Sequence, residues 1–479
     1  MRATGYRLLI FTAHCARGLG RGEWDMATGM LDRWLSGRRW PVTDLAAPPA
    51  DSDLRPVPGD SGPPVLGHTL SMFRQGDFGL RRHRELGPVS WARAFGTRIV
   101  AATGPDAAQE VLVNRDKAFS QAGWTFLVGP FLNRGLLLLD SEEHLHHRRL
   151  MQEAFTTSRI EGYLDRVDAL AKRVVPTWEP GPVYPALRRL TLDVATEVFM
   201  DAPVEDAAAL QRAFTDTSRA GMAVVRRPVP GGRWSAGLRG RKALEDFFRP
   251  RIAERRTGTA TDLFTALCQA RTDEGHMFTD DDVVNHMIFI IMAATDSTTT
   301  ALTSAMHQLG RHPDWQDRAR AECLSVDPPT VTSLSGLTAL DLVVKESLRL
   351  VAPLPTLARR TVKDTSLQGH YVPKNTLVFL SPGISHKLDD YWTDPTRFDP
   401  DRFAEPRRED KSHRYAWMPF GGGAHKCLGM HFGMFEVKAL LHAILRTFRW
   451  EFPSDYELVW DTNSIPVPAD NLPIQLERL

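Results

Sequence analysis

Apolar and polar positions divide this chain into a strand-like beginning, a long helical stretch and a mixed C-terminal part. Residues 43–66 lack periodicity and are rich in Pro, Asp and Gly, which predicts an extended lead-in. Alternation then appears in VSWARAF, Val89–Phe95, and RIVAAT, Arg98–Thr103. A Gly96-Thr97 turn between them predicts a β-hairpin. Helical spacing dominates from about Pro105 to Val351, a second strand-rich patch covers about Thr361 to Leu380, and a last helix runs from about Leu428 to Thr447. Much helix with small scattered hairpins predicts a mainly α fold with small β-sheets.

One helix is unusual. Thr279 followed by Asp280, Asp281 and Asp282 reads as an N-cap with acidic first-turn residues that complement the helix dipole. The pattern continues to Gly310, with Pro313 beyond it as a stop. A helix of that span is about 45 Å long, enough to cross a domain. Its middle, MIFIIMAATDSTTTALTSAM, is apolar on nearly every side, which predicts burial. Asp296, Ser297, Thr298, Thr299 and Thr300 sit in that middle, and an unpaired buried carboxylate is costly. Either the hydroxyls bond back to the preceding turn and Asp296 finds a cation, or these groups do chemistry.

Composition narrows the classes. The 479 residues are 42% hydrophobic and 24% charged, an ordinary globular mixture, and no linker divides them. Lys and Arg number 59 against 58 Asp and Glu, so no global charge points to nucleic acid. Cys15, Cys268, Cys323 and Cys427 form no CxxC pair, which argues against a disulfide framework or structural zinc and suits a reducing cytoplasm. Arg2, Arg7, Arg17 and Arg21 flank a short apolar run, Leu8–Thr12, below the ~20 residues of a membrane span. This reads as a basic leader with affinity for anionic membrane, or as sequence preceding a true start at Met26. Residues 1–55 are therefore expected to be an irregular leader, and 56–479 a single domain.

The chemistry concentrates in PFGGGAHKCLG, Pro419–Gly429. Gly421, Gly422 and Gly423 permit positive φ and close approach to a flat ligand. Cys427 stands where the helix at Leu428 opens, so backbone N–H groups and the dipole are expected to lower its pKa. Gly429 would let that helix lie close to the ligand, and Phe420 would shield the sulfur.

Phe420, Gly423, Cys427 and Gly429 together resemble the heme-binding loop of cytochrome P450 enzymes, with His425 where that family places Arg or His. The resemblance implies the cytochrome P450 fold with its long central helix over the heme, heme b (iron protoporphyrin IX) as cofactor, and the Cys427 thiolate as the iron ligand. His425 would then contact a propionate. Three further motifs agree in order. Glu346 and Arg349 in KESLRL, with Arg402 in the Phe398–Phe403 string, resemble the family's buried network behind the heme. His144 and Arg148, at i and i+4, resemble its propionate-gripping helix; a metal site at HLHH lacks partner carboxylates at metal spacing. Arg359 resembles a further propionate arginine, with Arg360 as its rival. AATDST, Ala293–Thr298, resembles the acid–alcohol signature: Asp296 and Ser297 would relay protons for O2 reduction, Thr298 sharing the task, and the two alanines would leave room for O2. Serine replaces the usual threonine and Ala294 the common glycine, which puts efficient coupling in question.

The resemblance implies a monooxygenase that hydroxylates a lipophilic substrate. A peroxygenase or isomerase on the same fold, or a non-catalytic heme sensor, is the alternative. Trp124, Phe126, Leu127, Phe131, Leu132, Leu354 and Leu357 would line a greasy pocket suited to a steroid, terpenoid or lipid, or else belong to the core. The overall look is similar to the sterol-demethylase and retinoid-hydroxylase side of the superfamily. With no flavin or iron–sulfur segment, electrons are expected from a separate ferredoxin and ferredoxin reductase, docking where Arg149, Lys411, Arg414 and Lys426 lie. RRPVPGGRWSAGLRGR, Arg226–Arg241, reads as a basic Gly/Pro-rich connector over the substrate entrance. It would be solvated or touch an anionic membrane, making the expected location cytoplasmic or peripheral to membrane.

Overall fold

The computed structural model describes residues 39–479 apart from 75, 222, 224, 225, 273, 463 and 464. The leader's arginines, Leu8–Thr12 and Met26 lie outside the described residues. The principal sheet has seven strands: β1 (Thr43–Asp44), β2 (Pro58–Asp60), β3 (Val89–Ala94), β4 (Thr97–Ala102), β5 (Phe119–Ser120), β6 (Leu357–Thr361) and β7 (Leu377–Leu380). Their order is β1-β2-β3-β4-β7-β6-β5. The expected hairpin is β3–β4, antiparallel with Val89 opposite Ala102. Its turn falls one residue earlier than expected, on Phe95 (φ 52°) and Gly96 (φ 75°). Two successive positive φ values give the turn whose twist matches its strands, leaving Thr97 to start β4. All four residues of β7 are buried, as befits a strand covered on both faces.

Among the described residues, ten helices build the site and its surroundings. They are α1 (Pro105–Val113), α2 (Ala122–Leu132), α3 (Ser141–Gln152), α4 (Thr157–Val174), α5 (Val183–Asp193), α6 (Val204–Ala220), α7 (Arg233–Phe248), α8 (Asp280–Arg311), α9 (Thr338–Leu350) and α10 (Met430–Thr447). The architecture is mainly α with small sheets, as the pattern of apolar positions implies. One large apolar core spans the helices from α3 to α10, and a smaller one lies about the principal sheet. Gly423–Thr447 is long and apolar enough to cross a membrane by length and composition, yet 61% of its apolar stretch is buried inside the protein.

α8 forms as its sequence dictates. Thr279 Oγ1 accepts from the Asp282 N–H at 3.1 Å while Asp282 Oδ2 accepts from the Thr279 N–H at 3.3 Å, a complete capping box. The hydroxyls of Thr295, Ser297, Thr299 and Thr303 all donate to carbonyls four residues earlier. Burial is not uniform, however: Ala293 is exposed and Asp296 and Ser297 half-buried. This stretch of the helix faces a cleft, which its apolar composition alone concealed.

The connector at Arg226–Arg241 is corrected too. From Arg233 onward it is the start of α7. Its glycines are there for close helix crossing: a Cβ at Gly237 would fall 2.1 Å from that of Ala220, and one at Gly240 2.5 Å from the Ala213 carbonyl oxygen. Gly residues that looked like breakers let α7 lie directly on α6.

Candidate active site

The loop before α10 is built by close packing. Gly421 (φ 66°) and Gly423 (φ 64°) are left-handed, whereas Gly422 is extended. A Cβ on Gly423 would sit 1.9 Å from the Leu112 carbonyl oxygen near the end of α1, and one on Gly422 2.5 Å from the Tyr415 ring. These two glycines therefore seat the loop closely on the rest of the protein. Gly429 differs, since a Cβ there would meet no protein atom within 4 Å. The Cys427 N–H donates to the Phe420 carbonyl at 2.9 Å, which closes the loop. α10 itself starts at Met430, two residues later than expected.

Cys427 is exposed. Its thiol is nonetheless held above its ordinary value, because protein surrounds it on most sides and desolvation outweighs the rest. The Gly429 backbone N–H, Arg148 and Lys426 pull in the other direction. The expected lowering by the helix terminus is thus present as a component but does not win. Cys427 is thus reachable from solvent yet closely surrounded by protein.

Basic side chains gather nearby. His144 on α3 and His425 on the loop lie with ring centroids 3.7 Å apart. Burial, then the neighbouring His and Arg groups, pushes His425 down to about 2. Burial, then Arg148, pushes His144 down to about 4. Arg359, 5% exposed on β6, is lowered to about 10 by burial. Its one hydrogen bond among the described residues is to the Ala358 carbonyl at 2.9 Å. Alternation along β6 turns Arg360 the other way, onto the Asn375 carbonyl at 3.0 Å. With both imidazoles neutral near neutral pH, the charges enclosed here are the guanidinium groups of Arg148 and Arg359, an unfavourable pair unless an anion joins it. Asp140 is the nearby carboxylate, 4.0 Å from His425 Nε2. It also accepts from Ser120 Oγ at 2.5 Å and the Gln121 N–H at 3.0 Å. Two further donors were missed in the sequence: Gln121 and Trp124 are buried with side-chain N–H groups that have no partner. The cationic gathering, the orphaned donors, the open Gly429 and the accessible sulfur suit a flat dianionic group that takes a thiolate ligand. Among the described residues no cluster of three or more His, Cys, Asp or Glu is placed to hold a bare metal ion.

Glu346, Arg349 and Arg402 do meet, all 0% exposed. Arg349 grips both Glu346 oxygens, Nε to Oε2 at 2.7 Å and Nη2 to Oε1 at 2.8 Å. Arg402 Nε reaches Oε1 at 3.1 Å, and its other end pairs with Glu409 at 2.7 Å. Arg349 Nη1 also donates to the His386 carbonyl at 2.7 Å, and His386 Nε2 accepts the Met418 N–H at 3.0 Å. The network is thereby wired to the residue before Pro419, where the cysteine loop begins.

On α8 the acid finds its partners on other helices. Ser218 of α6 donates to Asp296 Oδ2 at 2.6 Å, and Arg188 of α5 lies 3.9 Å from Oδ1. Ser297 donates to the Ala293 carbonyl at 2.7 Å. The structure does not bring Thr298 to this group: it is buried and donates to Glu436 of α10 at 3.2 Å. Burial pushes Glu436 up to about 8. A small cavity beside Asp296 is lined by Arg188, Leu192, Phe214, Ser218, Ile291, Met292 and Thr295. Of the apolar residues expected at a pocket, Trp124, Phe131, Leu132 and Leu357 are core, while Leu127 and Leu354 are half-buried; the Phe126 side chain lies outside the described residues.

Comparison with known proteins gives a consistent picture. A family model described as Cytochrome P450 matches residues 57–474. A Mycobacterium tuberculosis protein named as cytochrome P450 136 is 47% identical over 460 residues, covering 93% of this chain and 94% of that protein. The cyclooctat-9-en-7-ol 5-monooxygenase of Streptomyces melanosporofaciens is 29% identical over 436 residues, 86% of this chain and 93% of that one. Among solved structures, retinoic acid-bound cyanobacterial CYP120A1 superposes with a TM-score of 0.80 at 28% identity, covering 89% of this chain and 100% of that one.

Proposed function

The chain belongs to the cytochrome P450 family of heme-iron monooxygenases, and on that premise we propose that it hydroxylates a lipophilic steroid, terpenoid or lipid using O2 and electrons from a separate ferredoxin and its reductase. The observation that carries the site assignment is the meeting of Cys427 with His144, Arg148, Arg359 and His425 at the start of α10. In this reading Cys427 supplies the thiolate to heme b, and the four basic groups hold its propionates. Heme so ligated supplies O2 activation, the thiolate favouring O–O cleavage. Phe420, Gly423 and Gly429 shape the thiolate loop, and Glu346, Arg349 and Arg402 brace it from behind.

Asp296 and Ser297 are the proton-delivering pair. Asp296 is held by Ser218 beside a cavity that includes Arg188, and in this reading it takes up protons from that polar side for the adjacent Ser297 hydroxyl, which would turn from the Ala293 carbonyl to pass them on. Thr298 is reassigned to anchoring α8 on α10 through Glu436. Apolar residues on the same helix, Ile291 and Met292, and Phe214 on α6 favour a greasy substrate. Two relatives whose names carry retinoic acid and cyclooctat-9-en-7-ol support the same class. Exposed Arg149, Lys411, Arg414 and Lys426 suit an acidic electron donor. Exposed Arg227, Val229, Arg233, Leu238 and Arg239 suit brief contact of a cytoplasmic protein with anionic membrane. Residues 56–479 act as the catalytic domain.

The test is a spin-shift titration of the ferric protein with steroids, terpenoids and fatty acids. Any binder is then turned over with NADPH, ferredoxin, its reductase and 18O2. Product carrying one 18O atom is expected; binders confined to small polar molecules would overturn the substrate class.

A further inference from the structure

Gln121 and Trp124 stand one helical turn apart at the start of α2, so they share a face. Gln121 is 1% exposed, and neither its Nε2 nor its Oε1 has a partner. Trp124 is 7% exposed, with an unpartnered Nε1–H. Buried polar side chains are nearly always satisfied, and each orphan is costly, so two on one face call for a ligand. Between them Gly123 presses on β6: a Cβ there would lie 2.5 Å from the backbone N and C of Arg359. α2 is thus seated on the residue whose buried guanidinium has a single hydrogen bond among the described residues. The backbone N–H of Gln121 is tied to Asp140, itself 4.0 Å from His425. Unpartnered N–H groups beside a buried Arg and a crowded His select an acceptor carrying negative charge.

We propose that Gln121 and Trp124, with Arg359 and His425, form a carboxylate-binding site. The carboxylate belongs either to a heme propionate, which rests on the cofactor reading above, or to an acidic lipophilic substrate. Neither indole nor amide adds charge, so the pair gives direction to a carboxylate that the cations attract, and α2 becomes a recognition element.

The experiment uses the holoenzyme and its Q121E and W124F variants. Q121E is isosteric but repels a carboxylate; W124F keeps an aromatic ring and loses the donor. Heme release to excess apomyoglobin, the propionate-bending band in resonance Raman spectra, and spin-shift Kd values for a long-chain acid and its methyl ester are measured together. Release about tenfold faster, with a displaced propionate band, assigns the site to the cofactor; tenfold is the effect of losing about one charge-assisted hydrogen bond. Unchanged release and band, with Kd raised about tenfold for the acid only, assigns it to the substrate. No change in any of these overturns the proposal. Failure of the cofactor reading is separately visible, as a wild-type protein without a thiolate-type spectrum in its reduced CO form.

Discussion

Glu436 offers a quantitative test of how α8 and α10 are joined. Its carboxyl is buried within α10, with the Thr298 hydroxyl as its partner at 3.2 Å. Burial raises it from 4.5 to about 8. The sign follows from linkage: between those values the unfolded chain has released the proton and the folded chain keeps it, so stability is lost as pH rises from 4.5 through 8. At 1.36 kcal/mol per pH unit the loss reaches roughly 4–5 kcal/mol at pH 8 and about 1.4 kcal/mol at pH 5.5. Glu436→Gln keeps the neutral shape and removes the linkage. With an unfolding entropy of about 2.1 cal/mol/K per residue, a chain of 479 residues changes Tm by about 1 °C per kcal/mol. E436Q is therefore expected to melt about 1 °C above wild type at pH 5.5 and about 4 °C above it at pH 8, at equal scan rate and heme loading. A difference that stays constant with pH, or shrinks as pH rises, refutes the assignment of a neutral buried acid.

Substitutions at four further positions test other parts. Glu346→Gln leaves Arg349 and Arg402 buried without their shared counter-charge, a loss of about 3–5 kcal/mol that should appear as little or no heme-loaded protein; wild-type yield and melting would contradict it. Ser297→Ala removes the relay hydroxyl. Product formation should fall about a hundredfold while NADPH oxidation continues into hydrogen peroxide, and Ser297→Thr should keep coupling; an unchanged peroxide yield in S297A argues against the role. Gly423→Ala places a methyl 1.9 Å from the Leu112 oxygen at φ 64° and should lower the stability of the protein itself by at least about 1–3 kcal/mol, read as a lower Tm. Gly429→Ala, with no protein atom near, should leave the protein's fold intact and reduce only cofactor retention, read from the Soret-to-protein absorbance ratio.

Local chemistry was legible in the sequence and distant partnership was not. The N-cap at Thr279 and the hairpin at Val89–Ala102 are each fixed within a few residues, so their spacing alone announces them, whereas the Glu346–Arg349 pair stands out only by its resemblance to the family motif and its Arg402 partner. Cys427 and its glycines were equally visible, but their reasons were not. Gly423 is demanded by Leu112, more than three hundred residues earlier, and Gly237 and Gly240 by helix α6. The partners of Asp296 and Thr298, Ser218 and Glu436, come from other helices, and no periodicity connects them. Glu436 did leave one trace, a lone carboxylate among apolar residues of a buried helix. The direction of the Cys427 shift was misjudged for the same reason: a helix terminus can be read from sequence, whereas the desolvation opposing it depends on everything packed around the sulfur.

The central claim is that Cys427 is the thiolate ligand, and the reduced, CO-bound absorption spectrum of wild type beside Cys427→His tests it most directly. The account predicts the red-shifted Soret band of thiolate ligation in wild type and its absence in C427H. Wild-type protein that binds heme but lacks that band, or C427H that retains it, would contradict the account.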